Sequence, residues 1–264
     1  MGETRSAPVT AVPAAAGTAR AVGLTALVVM VACQVLSGIS PEPVRYTGIV
    51  VAVLAVSVLG FTAAAWGARR AAAGFAAAVL AGYAAEAVGL RTGFPFGHYR
   101  YTDLLWPQLG GVPAVVALAW GGMGLAAYAV AAAITTGRAR PAVGALALTA
   151  WDLFLDPQMV GLGLWTWAEP GPYRGIPLSN YAGWLLVSAL VMLLLRRIAG
   201  DAPARGAVGV YTTMAVMETV GFAAVFQPPD PLVAAAGGIS MGVFAALAWR
   251  RLWQKGNGWR PWQR

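Results

Sequence analysis

The run VPAVVALAWGGMGLAAYAVAAAIT, Val112 to Thr135, decides the fold: it holds 24 residues and no charge. A helix of about 20 such residues crosses a bilayer core, where each backbone group must find its hydrogen bond within the segment. Seven more runs share this character: Ala21–Gly38, Thr47–Trp66, Ala71–Leu90, Ala142–Trp165, Leu178–Leu195, Ala207–Phe226 and Leu232–Trp249. The first is longer than the usual signal-peptide core of roughly 7–15 residues, and other spans follow it, so it reads as a helix that stays. The chain is therefore expected to be all-α, a polytopic transmembrane helical bundle of about eight spans. Composition agrees, with 59% hydrophobic and 11% charged residues against about 25% charged in soluble domains.

The net charge of +8 is not a nucleic-acid footprint, because the basic residues sit in short pairs between apolar runs. They act as topology signals. Of the 18 Arg and Lys residues, only Arg45, Arg91, Arg100 and Arg174 fall on one side of the eight spans. Positive flanks remain cytoplasmic, so both termini are expected in the cytoplasm of a multi-pass cell-membrane protein. Residues 1–19, rich in Ala, Pro and Thr, read as a disordered cytoplasmic tail. Residues 20–253 form a single transmembrane domain, and 254–264 a basic cytoplasmic tail. The two long outer connections, Arg91–Gly111 and Ala168–Asn180, are rich in Gly, Pro and aromatics, as functional loops often are.

Four acids interrupt the apolar runs: Glu86, Asp152, Asp156 and Glu218. An Asp near a helix centre costs roughly 2.5–3.5 kcal/mol to insert, so such acids point to function. Asp152 and Asp156 are four residues apart and share a helix face. Two carboxyls so placed resist double ionisation, which leaves a neutral acid able to donate a proton. In the expected topology Glu86, Asp156 and Glu218 lie toward the outer side and Asp152 near the midplane. All four are expected to converge on one pocket beneath the outer loops. The alternative is that they pair with neighbouring helices or with Arg91, Arg100 or Arg174.

Tyr83, Trp120, Tyr128 and Tyr211 accompany the acids at helical spacings and offer π faces to a cation. Trp165, Trp167, Trp184, Trp249 and Trp253 read instead as an interfacial belt. Cys33 is the single cysteine and His98 the single histidine, so neither a disulfide nor a multi-histidine iron site can form within the chain. Gly110-Gly111 lacks the surroundings of a phosphate loop, and no Walker, dinucleotide or zinc motif occurs. Neither a metal nor an organic cofactor is expected.

Three segments are diagnostic together: Thr92-Gly-Phe-Pro-Phe-Gly-His-Tyr-Arg-Tyr-Thr-Asp103, Trp151-Asp-Leu-Phe-Leu-Asp-Pro-Gln-Met159 and Tyr173-Arg-Gly-Ile-Pro-Leu-Ser-Asn-Tyr181. Over about Ala71–Trp249 the chain resembles the CruF-type carotenoid biosynthesis family of membrane proteins, which includes bisanhydrobacterioruberin and carotenoid 1,2-hydratases. The resemblance implies addition of water to the terminal C=C of an acyclic carotenoid end group, giving a tertiary alcohol. The substrate would be a carotenoid within the bilayer, and other membrane enzymes of the same pathway are candidate partners. Protonating such an alkene calls for a neutral carboxylic acid, an apolar site and nearby π faces or carboxylates.

On this reading Asp152 or Asp156 donates the proton, the other holds it neutral or orients water, and Glu86 or Glu218 positions water. Tyr83, Trp120, Tyr128 and Tyr211 would line the cation. The outer-loop residues His98, Tyr99, Arg100, Tyr101 and Asn180 would contact substrate and admit water. A membrane cyclase would begin with the same protonation and end in a ring. A proton-coupled transporter or lipid carrier would use the acids as shuttles between alternating states.

Overall fold

A computed structural model describes residues 14–256, and eight helices dominate it. They are α1 (Ala14–Ile39), α2 (Val44–Trp66), α3 (Ala68–Thr92), α4 (Ala114–Ile134), α5 (Arg140–Gly161), α6 (Leu178–Ile198), α7 (Arg205–Val220) and α8 (Pro231–Gly256). Seven are long and apolar enough to cross a membrane, α7 together with the π-helical turn Gly221–Val225 that continues it; α5, interrupted by Asp152 and Asp156, is not apolar enough. It is nonetheless 22 residues long, about 33 Å at the usual helical rise, and packs against α4, α6 and α8. Its acids can be carried because its neighbours, rather than lipid, surround them.

The quoted run forms α4, the centre of the bundle. Nearly all of it is buried, from Ala117 to Ala133, as expected of a helix that is apolar all round. Its glycines and alanines let neighbours approach closely, the usual basis of packing between membrane helices. A Cβ at Gly122 would collide with the Leu54 side chain of α2. The outer helices reverse this pattern, with Leu24, Val28, Leu80, Leu190 and Ile239 all more than half exposed. Large apolar side chains turned outward in such numbers fit a lipid-facing surface.

Helix α1 starts at Ala14, so residues 14–19 of the expected tail are helical, as are 254–256 at the other end. The rest of both expected tails lies outside the described residues. The fifth run also ends earlier than its hydropathy predicts, at Gly161 rather than Trp165. Residues Trp165–Trp167 leave the helix as a short strand, β4, which pairs antiparallel with β1, Tyr99–Tyr101. The register sets Tyr99 against Trp167 and Tyr101 against Trp165. Strands β2 (Gln108–Leu109) and β3 (Val112–Pro113) close a tight hairpin over Gly110 and Gly111, both at positive φ (58° and 88°). Two positive φ values in succession are what a type I′ turn requires, and this explains the glycine pair.

Candidate active site

Strand periodicity builds the roof of the site. Tyr99 and Tyr101 are turned to one face with Trp165 and Trp167, whereas Arg100 and Thr166 between them are exposed. The four rings close one end of a cavity whose walls come from α2, α3, α4, α5 and α6. Two acids line it, Glu86 of α3 and Asp156 of α5.

Glu86 is 4% exposed and receives three hydrogen bonds. Its Oε2 accepts from the hydroxyls of Tyr99 (2.5 Å) and Tyr101 (2.8 Å), and its Oε1 from Trp120 Nε1 (3.0 Å). All three partners are donors, so its oxygens serve as acceptors. Burial first, and the adjacent Glu86 carboxylate next, push both phenols above their ordinary value. They therefore remain donors across the working pH range. Trp120 in turn stacks on Trp184 of α6, with ring centroids 4.2 Å apart. This close approach depends on Gly82, where a Cβ would occupy the space of the Trp120 side chain.

The second acid is held differently. Asp156 Oδ1 accepts from Trp165 Nε1 at 3.1 Å, and its Oδ2 from Asn180 Nδ2 at 2.5 Å. The same Asn180 nitrogen lies 2.9 Å from Oδ2 of Asp152. Two carboxyl groups thus gather around one amide, one helical turn apart on α5. Asp152 sits behind Asp156, fully buried and off the cavity wall, and its Oδ1 has no hydrogen-bond partner. A proton shared within the pair would relieve both the like charges and that orphaned atom.

The four acids do not converge. Glu86 and Asp156 face one cavity with Asp152 behind it, while Glu218 lines an adjoining, larger one. Helix α7 packs chiefly on α8 and α4, with α2 and α1 next, and its Glu218 end faces the space between α1, α2 and α5. Of the aromatics, Trp120 joins the site and three do not. Tyr83 donates to the Leu109 carbonyl near the surface, Tyr211 to the Ala147 carbonyl, and Tyr128 meets Arg140 near the α4–α5 connection. Among the loop residues Tyr99, Tyr101 and Asn180 line the cavity, whereas His98 and Arg100 are exposed and directed elsewhere.

Trp165 and Trp184 are 5% exposed and, with Trp167, line the cavity, which corrects their assignment to an interfacial belt. The signal was present in the triplets Tyr99-Arg-Tyr101 and Trp165-Thr-Trp167, both alternating with the period of a strand. Trp184 follows Asn180 by four residues and so shares its helix face. Trp249 and Trp253 remain exposed, as expected. Among the described residues no group of three or more His, Cys, Asp and Glu side chains is gathered to hold a metal.

Comparison with known proteins adds to this geometry. A family described as carotenoid biosynthesis protein matches residues 46–248. Over 134 residues the chain is 38% identical to the bisanhydrobacterioruberin hydratase of Haloarcula japonica, covering 48% of this chain and 45% of that relative. The match thus spans a little under half of either protein. No solved structure matches the chain.

Proposed function

Because the chain belongs to the carotenoid biosynthesis protein family, we propose that it is a carotenoid hydratase, adding water to the terminal C=C of an acyclic end group to give a tertiary alcohol. Its similarity to a named hydratase supports the reaction class. One observation carries the chemistry: Asp156, paired with Asp152 around Asn180, and a separate carboxylate at Glu86 that accepts three hydrogen bonds line one aromatic cavity.

The steps follow from the two environments. The Asp152–Asp156 pair holds one proton, and Asp156, the member on the cavity wall, delivers it to the inner, singly substituted carbon of the terminal double bond. The electron pair of the double bond forms the new C–H bond and leaves a tertiary cation on the adjacent carbon. Faces of the cavity's aromatic rings, Trp120 and Trp165 among them, stabilise this charge in a site that excludes bulk water. Glu86 accepts a hydrogen bond from the attacking water, since Oε1 holds a single protein donor and a carboxylate oxygen has room for two. As the C–O bond forms, Glu86 takes the proton released, and its return to the pair through water resets the site. No electron acceptor or metal enters this balance.

The substrate is dissolved in the lipid and the enzyme works within the cell membrane. Expression in a host that makes acyclic carotenoids tests the reading directly. Pigments heavier by one water are expected. Pigments of unchanged mass carrying a ring would instead make the protein a cyclase, and an unchanged pigment profile would remove both activities.

A further inference from the structure

The larger cavity lies between α1, α2, α5 and the end of α7, and nothing in the catalytic scheme uses it. Its lining is mostly apolar, yet two polar side chains reach it with unused acceptor atoms. Glu218 is 6% exposed and its Oε2 has no hydrogen-bond partner; Gln34 Oε1 has none either, while its Nε2 donates to Met214 Sδ. A buried polar atom without a partner is costly, so two of them facing one cavity call for a polar ligand. Glu218 is followed by a π-helical turn, Gly221–Val225, and Gly221 and Val225 line the same space. Such turns often mark functional positions.

Two further facts describe what enters. This cavity adjoins the one bearing Glu86 and Asp156, for Thr47, Val51, Leu155 and Met159 line both. It also reaches the outer surface of the bundle, because its wall includes Val35 and Ile39 of α1, which are 51% and 73% exposed. A molecule there lies in oily surroundings, next to the reaction chamber and open to lipid, and a hydroxyl on it would give Gln34 Oε1 a donor and a neutral Glu218 carboxyl an acceptor.

We propose that this cavity is a hydroxyl-recognition subsite for an isoprenoid alcohol, receiving the hydrated end group as it leaves the acid chamber for the bilayer. The proposal rests on the hydratase reading for the origin of the alcohol, but not for its binding. Gln34 Oε1 accepts the alcohol proton and the neutral Glu218 carboxyl group donates its own to the alcohol oxygen, while the chain lies along the apolar wall. An alkene end group offers neither donor nor acceptor and leaves both groups unmet, so the subsite favours product over substrate and draws product out of the chamber.

The test uses the full chain in lipid nanodiscs. Two radiolabelled probes are compared by scintillation proximity: a saturated ten-carbon isoprenoid with a terminal tertiary hydroxyl, and the alkane of the same skeleton. Comparing variants in identical discs cancels partition into lipid. The wild type is expected to favour the alcohol by on the order of tenfold, the value of one or two net hydrogen bonds. Gln34→Leu and Glu218→Leu should each erase most of that preference, and both should fold because each removes an unpartnered buried polar atom; Glu218→Met serves if Glu218→Leu does not accumulate. Asp156→Asn should keep the preference. No preference in the wild type, or its survival in both cavity variants, would overturn the proposal, as would its loss in Asp156→Asn alone. If the pigment assay shows no hydration but these variants behave as stated, the hydratase reading fails and the subsite stands.

Discussion

Replacing Asp156 with Asn separates the chemistry from the packing. In the wild type both Asp156 oxygens are acceptors, from Trp165 Nε1 at 3.1 Å and from Asn180 Nδ2 at 2.5 Å. An Asn side chain has one oxygen for those two donors, so in either rotamer its own amide faces an N–H group. One buried donor then goes unpaired, which costs about 1–3 kcal/mol of stability. That loss is tolerable for a helix packed on three neighbours, and the protein should still accumulate in membranes. Catalysis suffers far more, because an amide cannot protonate an alkene and a positioned general acid contributes roughly 10²–10⁴-fold. Asp152→Asn is the matched control. Asp152 makes one hydrogen bond and has a free Oδ1, so Asn fits there without a clash of donors and partial activity should persist. The assay is pigment chromatography with mass analysis, normalised to membrane-inserted protein. Unchanged turnover in Asp156→Asn would refute the assignment of the proton donor.

Other outcomes follow from the remaining contacts. Tyr99→Phe and Tyr101→Phe each remove one donor to Glu86, and at about 1.5–3 kcal/mol per hydrogen bond to a charged group each should lower turnover by roughly tenfold or more while leaving membrane insertion intact. Gly82→Ala should push Trp120 off both Glu86 and Trp184, and quantitative pigment analysis should show activity falling as steeply as in Trp120→Phe. Arg174 pairs with Asp230, which also caps α8 through the Val233 amide, and so ties the loop before α6 to the start of α8. Burial opposes ionisation of Asp230, but hydrogen bonds from Arg174 and the Val233 and Leu232 amides hold its carboxyl below the usual range. A depressed carboxyl stabilises the fold above its unfolded value of about 3.9 and loses that contribution as pH falls through the folded one. Burial, then the Asp230 charge, pushes the Tyr173 phenol of the same loop up to about 12, so its contribution is present below about 10 and fades on rising through that folded value. Limited proteolysis of the loop should therefore be flat between about pH 5 and 9 and should rise outside this window.

Much of the fold could be read in advance because hydrophobic length is a strong signal. Each apolar run became a helix, and the central one is the longest of the uncharged runs. Helix ends were less legible: Gly161 to Trp165 is apolar enough to continue α5, and only pairing with a strand more than sixty residues earlier draws Trp165–Trp167 out of the helix. The acids stood out because burying charge is costly, and their spacing placed Asp152 beside Asp156. Spacing along α7 gives no information on which neighbour α7 meets, and this is why Glu218 was grouped with the others. Asn180 entered as a residue of a suggestive loop, yet it occupies the first turn of α6 and its amide joins the two aspartates.

The ribbon formed by β1 and β4 has a consequence for how the molecule tolerates change. Only three residues on each side carry it, and inward and outward positions alternate strictly. Sliding either strand by a single residue would swing Arg100 or Thr166 under the lid and expel its rings, placing a permanent cation where a carbocation is to be formed. Insertions and deletions within Tyr99–Tyr101 or Trp165–Trp167 are thus constrained by parity, while the hairpin tip at Gly110-Gly111, outside the ribbon, is where the loop can lengthen without cost to the chamber below.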